Sequence, residues 1–239
     1  MENKETPMRG AERERASQGA YSTGGNAAPP LRFDDEFRTE LTQLFAWRRD
    51  VRRFRSDPIS DEIVEQLIAT TAFAPSVGYS QPSRFVRVDS PERRAQIIAE
   101  YERCNGDAAQ TYSGEQHARY VAMKLAGLRE APIHLAVFLD RETSRGSGLG
   151  RATMPETLAY STVLAIHTLW LMARAMGIGV GWVSILDPEV VIRILDVPAQ
   201  WSFVAYLCLG YPQEEHLDRE LVRAGWETDE SEATRLHRR

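Results

Sequence analysis

Gly177-Ile178-Gly179-Val180-Gly181-Trp182-Val183-Ser184-Ile185 places alternating glycines at the head of a strand-like run. Before it, Pro155 opens a helix predicted to reach about Met176, with Leu158, Thr162, Ile166, Leu169 and Ala173 at core-facing spacing. The order is therefore helix, glycines, strand. A dinucleotide fold needs the reverse, strand then glycines then helix, to seat a pyrophosphate on a helix N-terminus, so that architecture is excluded. Glycines in a strand admit the close approach of either a flat ligand or a neighbouring backbone.

Outward from this stretch, helices and short strands alternate. Phe37, Leu41, Leu44 and Phe45 share one face of a first helix, and Ser60 caps a second that carries Ile63, Val64, Leu67, Ile68 and Thr71. Phe85 to Val88 reads as a strand, and helices are predicted over 91–104 and 113–130. Ile133 to Leu139 is a buried strand, 141–155 a long loop of the kind that covers a site, and Val180 to Ile185 a further strand. Asp187-Pro188-Glu189 starts another helix, and Phe203 to Leu209 is the last core strand. Short strands separated by helices define an α+β layered domain.

The chain has 239 residues, 43% of them hydrophobic, enough for one substantial core. Residues 1–36 read as a flexible N-terminal tail, 37–228 as the folded domain and 229–239 as a polar C-terminal tail. A net charge of −5 without a basic stripe interleaved with aromatics disfavours nucleic acid. The absence of a signal-like or membrane-spanning apolar run predicts a cytoplasmic protein with no membrane role. Cys104 and Cys208 lack CxxC spacing and read as free thiols. His117, His134, His167, His216 and His237 show no metal-ligand spacing, so no metal is expected.

Two further segments carry chemistry. Trp-Arg-Arg-Asp-Val-Arg-Arg-Phe-Arg (47–55) sets Asp50 among arginines, in a chain whose only lysines are Lys4 and Lys124. Guanidinium forks match the oxygens of a phosphate. Asp50 is then either a structural ion-pair partner of Arg48, Arg49 or Arg52, or an acid that acts on a ligand. Surrounding arginines are expected to lower its pKa. Ala74-Pro75-Ser76-Val77-Gly78-Tyr79-Ser80-Gln81-Pro82 reads as a loop between helix and strand, whose amides and hydroxyls can bond a heterocycle. Trp170, Trp182 and Trp201 read first as packing residues. Ser184 lacks the strand-to-helix elbow of a hydrolase nucleophile.

Together these segments resemble the flavin-dependent nitroreductase superfamily over residues 37–228. The resemblance rests on Arg48-Arg49-Asp50-Val51-Arg52, Ala74 to Gly78 with Gln81-Pro82, Gly150-Arg151, Tyr160-Ser161-Thr162-Val163, Gly179 to Ile185, and Leu207-Cys208-Leu209-Gly210. It implies a central, mostly antiparallel sheet flanked by helices, and a homodimer. Ordinary members have Ser where Asp50 stands. An acid there resembles the branch that fragments reduced FMN, with O2, to 5,6-dimethylbenzimidazole, the lower ligand of cobalamin.

That likeness implies that Arg48, Arg49, Asp50, Val51 and Arg52 hold the phosphate and ribityl region, and that Ser76, Ser80 and Gln81 lie at the polar edges of the ligand. It sets Trp182, Val183 and Ser184 along the ring, with Leu158 and Tyr160 in a shielding cover. Asp50 and Ser184 are the implied catalytic pair, Ser184 orienting either Asp50 or a flavin carbonyl. The branch uses reduced FMN as substrate and requires a separate NAD(P)H-dependent flavin reductase as partner. Two departures stand out: Gln81-Pro82-Ser83 where a Trp is frequent in the family, and Leu158 where a member carries Asp. Two other readings remain open, an NAD(P)H-dependent FMN nitroreductase or flavin reductase, and a non-catalytic flavin-binding protein.

Overall fold

The computed structural model describes residues 32–229 and 237–238; most of the expected tails, 1–36 and 229–239, lies outside the described residues. The chain divides into two compact units, Met1–Arg38 and Thr39–Arg239. Helix α1 (Asp35–Trp47) begins where Asp34 Oδ1 accepts the Phe37 N–H at 2.8 Å. Helix α2 (Asp61–Thr70) has Ser60 as its N-cap, the hydroxyl oxygen accepting from the Ile63 N–H. Strand β1 (Ser83–Arg87), helix α3 (Pro91–Ala109), helix α4 (Gly114–Ala122) and strand β2 (Ile133–Asp140) follow. Then come helix α5 (Thr157–Ala175), strand β3 (Gly179–Val183), helix α6 (Pro188–Leu195), strand β4 (Trp201–Gly210) and the short helix α7 (Glu220–Arg223).

The strands form one four-stranded sheet in the order β1-β2-β4-β3. Every neighbouring pair is antiparallel, as the α+β reading expects. The apolar run of β2 is buried on both faces. Ile133, Leu135 and Val137 pack with Leu67 of α2 and Ile166 and Leu169 of α5. Ala136 and Phe138 point the other way, toward Ile97 of α3 and Val191 and Leu195 of α6.

At the outer edge of β3 the chain adds one more bridged position. Asp50 pairs in parallel with Val180, and the Val51 N–H donates to the Val180 carbonyl at 3.0 Å. Glycine makes this approach possible. A Cβ at position 181 would lie 2.2 Å from the Val51 carbonyl oxygen, and one at 179 would lie 2.8 Å from its side chain. Of the two partners that the alternating glycines allow, the structure shows the neighbouring backbone.

Several boundaries differ from the sequence reading. The helix predicted over 113–130 stops at Ala122, where Met123 turns extended. Gly127 is pressed against Phe54, with a Cβ there 2.4 Å from the ring, so the chain has to leave the helix to pass over it. Helix α3 runs past residue 104 to Ala109. Strand β3 ends at Val183, which leaves Ser184 and Ile185 outside it. The loop 141–155 contains a helical turn at Arg145–Gly148 and closes on the 76–81 segment, where Thr143 Oγ1 donates to the Ser80 carbonyl at 3.3 Å.

Gly181→Ala is expected to cost about 3 kcal/mol, because backbone cannot move aside as a side chain can. Gly106→Ala, inside α3 with nothing within 4 Å of its added Cβ, is expected to gain about 0.5 to 1 kcal/mol. Urea unfolding of both variants beside the parent checks the pair, and equal stability would show that the 50–51 segment is not seated on β3.

Candidate active site

Because the chain at 50–52 is extended, side chains two apart share a side. Asp50 and Arg52 therefore face each other, and Arg52 Nε donates to Asp50 Oδ2 at 2.8 Å. The other oxygen, Oδ1, accepts the Trp182 N–H at 2.9 Å. Neighbouring arginines in sequence turn elsewhere. The Arg48 guanidinium lies 5.0 Å from the centre of the Trp170 ring. Arg49 Nε donates to the Leu217 carbonyl at 2.8 Å, and Arg53 Nη1 to Glu220 Oε1 at 2.8 Å.

This arrangement corrects the expected protonation of Asp50. Burial pushes the carboxyl above its ordinary value by more than the Trp182 amide and Arg52 pull it down, and Glu220 adds repulsion. The sequence suggests a ring of cations, but a single guanidinium reaches the carboxylate. Its own side chain remains 31% exposed against 12% for Arg52, so a proton can still reach it.

Arg48, Arg49, Asp50 and Arg52 line a cavity of about 700 Å³ together with Arg219 and Glu220. The Arg49 guanidinium is pushed below its ordinary value by burial, then by Arg219 and Arg48. Glu220, Glu227 and Asp229 line the same cavity and Asp229 pairs Arg219, so Arg48 and Arg49 are the cations best placed to receive an anion. Residues 217–229 supply the facing wall, and they are anchored behind it. Arg119 Nη1 donates to the Gly225 carbonyl at 2.7 Å. The Trp226 ring stands edge-on to Tyr112 at 5.2 Å and tilted to Tyr120 at 5.9 Å. The sequence reading assigned no role to Arg219, Glu220 or Trp226.

The remaining expected site residues are distributed as follows. Trp182 is half-buried against the core with its amide on Asp50, whereas the Val183 side chain is buried in the core. Ser184 is exposed just beyond β3 and does not bond Asp50, whose two oxygens are taken by Trp182 and Arg52. Ser76 Oγ accepts the Gln81 N–H at 3.2 Å. Ser80 is buried with its Oγ unpartnered, and Gln81 holds a left-handed φ of 44°. Leu158 is buried in the first turn of α5 rather than in a cover, while Tyr160 is exposed.

The structure thus gathers Arg48, Arg49, Asp50, Val51, Arg52 and Trp182 at the β3 edge. Ser76, Ser80 and Gln81 sit at the entrance to β1, the opposite edge of the sheet. Three strand spacings separate those edges by about 14 Å, and the register displaces Ser83 from the Trp182 row by about 13 Å more along the strands.

An antiparallel sheet between helical layers has counterparts among known proteins. The nitroreductase family model matches residues 45–211, and the chain belongs to that family. A protein of Rhodospirillum rubrum named 5,6-dimethylbenzimidazole synthase is 59% identical over 82% of this chain and 93% of its own length. One of the same name from Rhodobacter capsulatus is 48% identical over 82% of this chain and 95% of its own. Among solved structures, oxidized iodotyrosine deiodinase bound to FMN and 3-iodo-L-tyrosine aligns with a TM-score of 0.63 at 24% identity. That alignment covers 74% of this chain and 91% of the deiodinase, and it speaks to the fold. Among the described residues, no helix is long and apolar enough to cross a membrane.

Trp226→Ala removes the ring that clamps the C-terminal wall. Trypsin cleavage at Arg219 and Arg223 is expected to accelerate about tenfold, with little change in global unfolding. Unchanged cleavage in a time course would mean that the aromatic contact does not hold the wall in place.

Proposed function

We propose that this chain catalyses the oxygen-dependent fragmentation of reduced FMN to 5,6-dimethylbenzimidazole. The observation that carries the reading is Asp50, a carboxyl of raised proton affinity in the wall of a cavity that Arg48, Arg49 and Arg52 also line. The relatives that share most of its length, and their name, support the same reaction. The residues present fit a phosphorylated flavin: Arg48 and Arg49 line the cavity without a carboxylate among the described residues in salt-bridge contact, and the cavity has room for more than a phosphate.

Bound reduced FMN supplies the electrons that reduce O2 and the carbon skeleton of the product. Arg48 and Arg49 would bind its phosphate by charge-assisted hydrogen bonds, and Arg219 would join them by releasing Asp229. Arg52 and the Trp182 N–H orient Asp50, one on each oxygen. Asp50 accepts the proton from C1′ of the ribityl chain, a task that the raised proton affinity suits better than that of an ordinary aspartate. Ser184, exposed and without a protein partner, is free to bond a flavin carbonyl.

The reading includes a homodimer. Ser76, Ser80 and Gln81 can meet the flavin bound at the β3 edge if they come from a second copy, since their own copy places them at the other edge. Helix α5 offers an apolar face for that contact, with Tyr160, Val163 and Leu164 exposed. The free thiols of Cys104 and Cys208 suit the reducing cytoplasm, where a separate NAD(P)H-dependent reductase would supply the reduced flavin.

Aerobic incubation with chemically reduced FMN, followed by liquid chromatography and mass spectrometry, is expected to yield 5,6-dimethylbenzimidazole. Asp50→Asn is expected to lower its rate by about 10² to 10⁴. Flavin merely reoxidised by the unaltered protein would sink the proposal in favour of a reductase. For the assembly, sedimentation is expected to show a dimer that Val163→Asp splits, with loss of product; a monomeric, fully active parent would refute the two-copy site.

A further inference from the structure

Glu220 occupies a position that neither phosphate binding nor proton transfer by Asp50 requires. One carboxylate oxygen accepts from Arg53 Nη1 at 2.8 Å, and the other lies 3.9 Å from Arg52 Nε. That same Arg52 nitrogen donates to Asp50 Oδ2 at 2.8 Å. Two carboxylates thus flank one guanidinium, whose side chain is itself 12% exposed, with the Glu220 side chain 19% exposed.

We propose that Glu220 is a positioning residue of this site, which shares the Arg52 guanidinium with Asp50 so that the cation is never committed to Asp50 alone. The inference rests on the proposed function only where it calls Asp50 catalytic; the sharing itself is a property of the chain. Arg53, the nearer cation to Glu220, also faces Glu214 at 3.2 Å, so two guanidinium groups meet three carboxylates and part of the Glu220 charge is left for Arg52 and Asp50 to share. Asp50 meets it as repulsion from Glu220, in the same direction as burial.

The other groups packed around Asp50 do not substitute for this effect. On β4 the Cys208 thiol is buried and pushed up, hence neutral. From the loop before β2, Lys124 gives its carbonyl to Arg52 Nη1 at 3.2 Å, and its ammonium is paired with Glu130. From the C-terminal wall, Arg219 is paired with Asp229 at 2.6 Å. From β3 comes the Trp182 amide alone. Glu220 therefore makes the proton affinity of Asp50 depend on whether the 217–229 segment is seated, and Trp226 against Tyr112 and Tyr120 seats it.

The test needs no flavin. In protein labelled with carboxyl ¹³C-aspartate, the Asp50 signal, assigned by its loss in Asp50→Asn, is titrated by NMR. Removing the Glu220 charge leaves Arg52 wholly to Asp50, which favours the ionised form. Glu220→Gln is therefore expected to move the Asp50 midpoint down by about one pH unit. Glu220→Asp, which keeps the charge, is expected to restore most of it. Should Glu220→Gln not fold, Trp226→Ala, which unseats the segment, is expected to lower the midpoint likewise. The acid limb of single-turnover benzimidazole formation should shift in parallel. An Asp50 midpoint unchanged in these variants would overturn the role of Glu220 even with product formation intact. A lowered midpoint in a protein whose parent makes no benzimidazole would uphold the sharing and overturn the catalytic reading.

Discussion

The carbonyl oxygen of Val51 lies where the first carbon of a side chain at position 181 would be, and the position of Asp50 follows from that contact. Once Val51 is hydrogen-bonded to Val180, the residue before it has one place to go, with its carboxylate facing the Trp182 amide. Extended geometry then sets Arg52 on the same side and Arg53 on the other. A cluster that reads in sequence as a patch of positive charge is therefore sorted by the backbone into separate tasks. Arg52 goes to the carboxylate, Arg53 to Glu220, Arg49 to the Leu217 carbonyl, and Arg48 to the face of Trp170.

The second wall of the cavity obeys a different logic. No side chain of residues 217–229 is fully buried, and the segment is held by charge-assisted and aromatic contacts. Such contacts are individually modest in exposed positions. The segment can thus form the roof of a site without being welded to the core, as a cavity that must admit and release a ligand requires.

Local signals in the sequence translated well into structure. Ser60 and Asp187 each announced a helix start, and Asp187 Oδ1 indeed accepts from the Glu189 and Val190 N–H groups. The apolar run at 133–139 became the buried central strand. What could not be read depended on partners distant in the chain. The helix expected to 130 ends early because Gly127 has to lie against Phe54, a contact with no trace in local pattern. The proton affinity of Asp50 is raised above the expectation chiefly by burial, which packing against distant segments sets and which outweighs the pull of Arg52. No role could be read for Glu220 and Trp226, since that role exists only beside Arg52 and Tyr112.

The covering of β3 has a last consequence, for solubility. A strand with Gly179 and Gly181 presents a smooth edge whose free amides and carbonyls invite pairing with another chain. The 50–51 segment occupies that edge, and at the far side of the sheet β1 carries the charged Arg84 and Arg87, tied to Asp140 and Asp61. Neither margin is left open to a foreign strand. The docking that sets the acid in place also guards the sheet against self-association, so damage to it would be felt first as precipitation and only afterwards as lost chemistry.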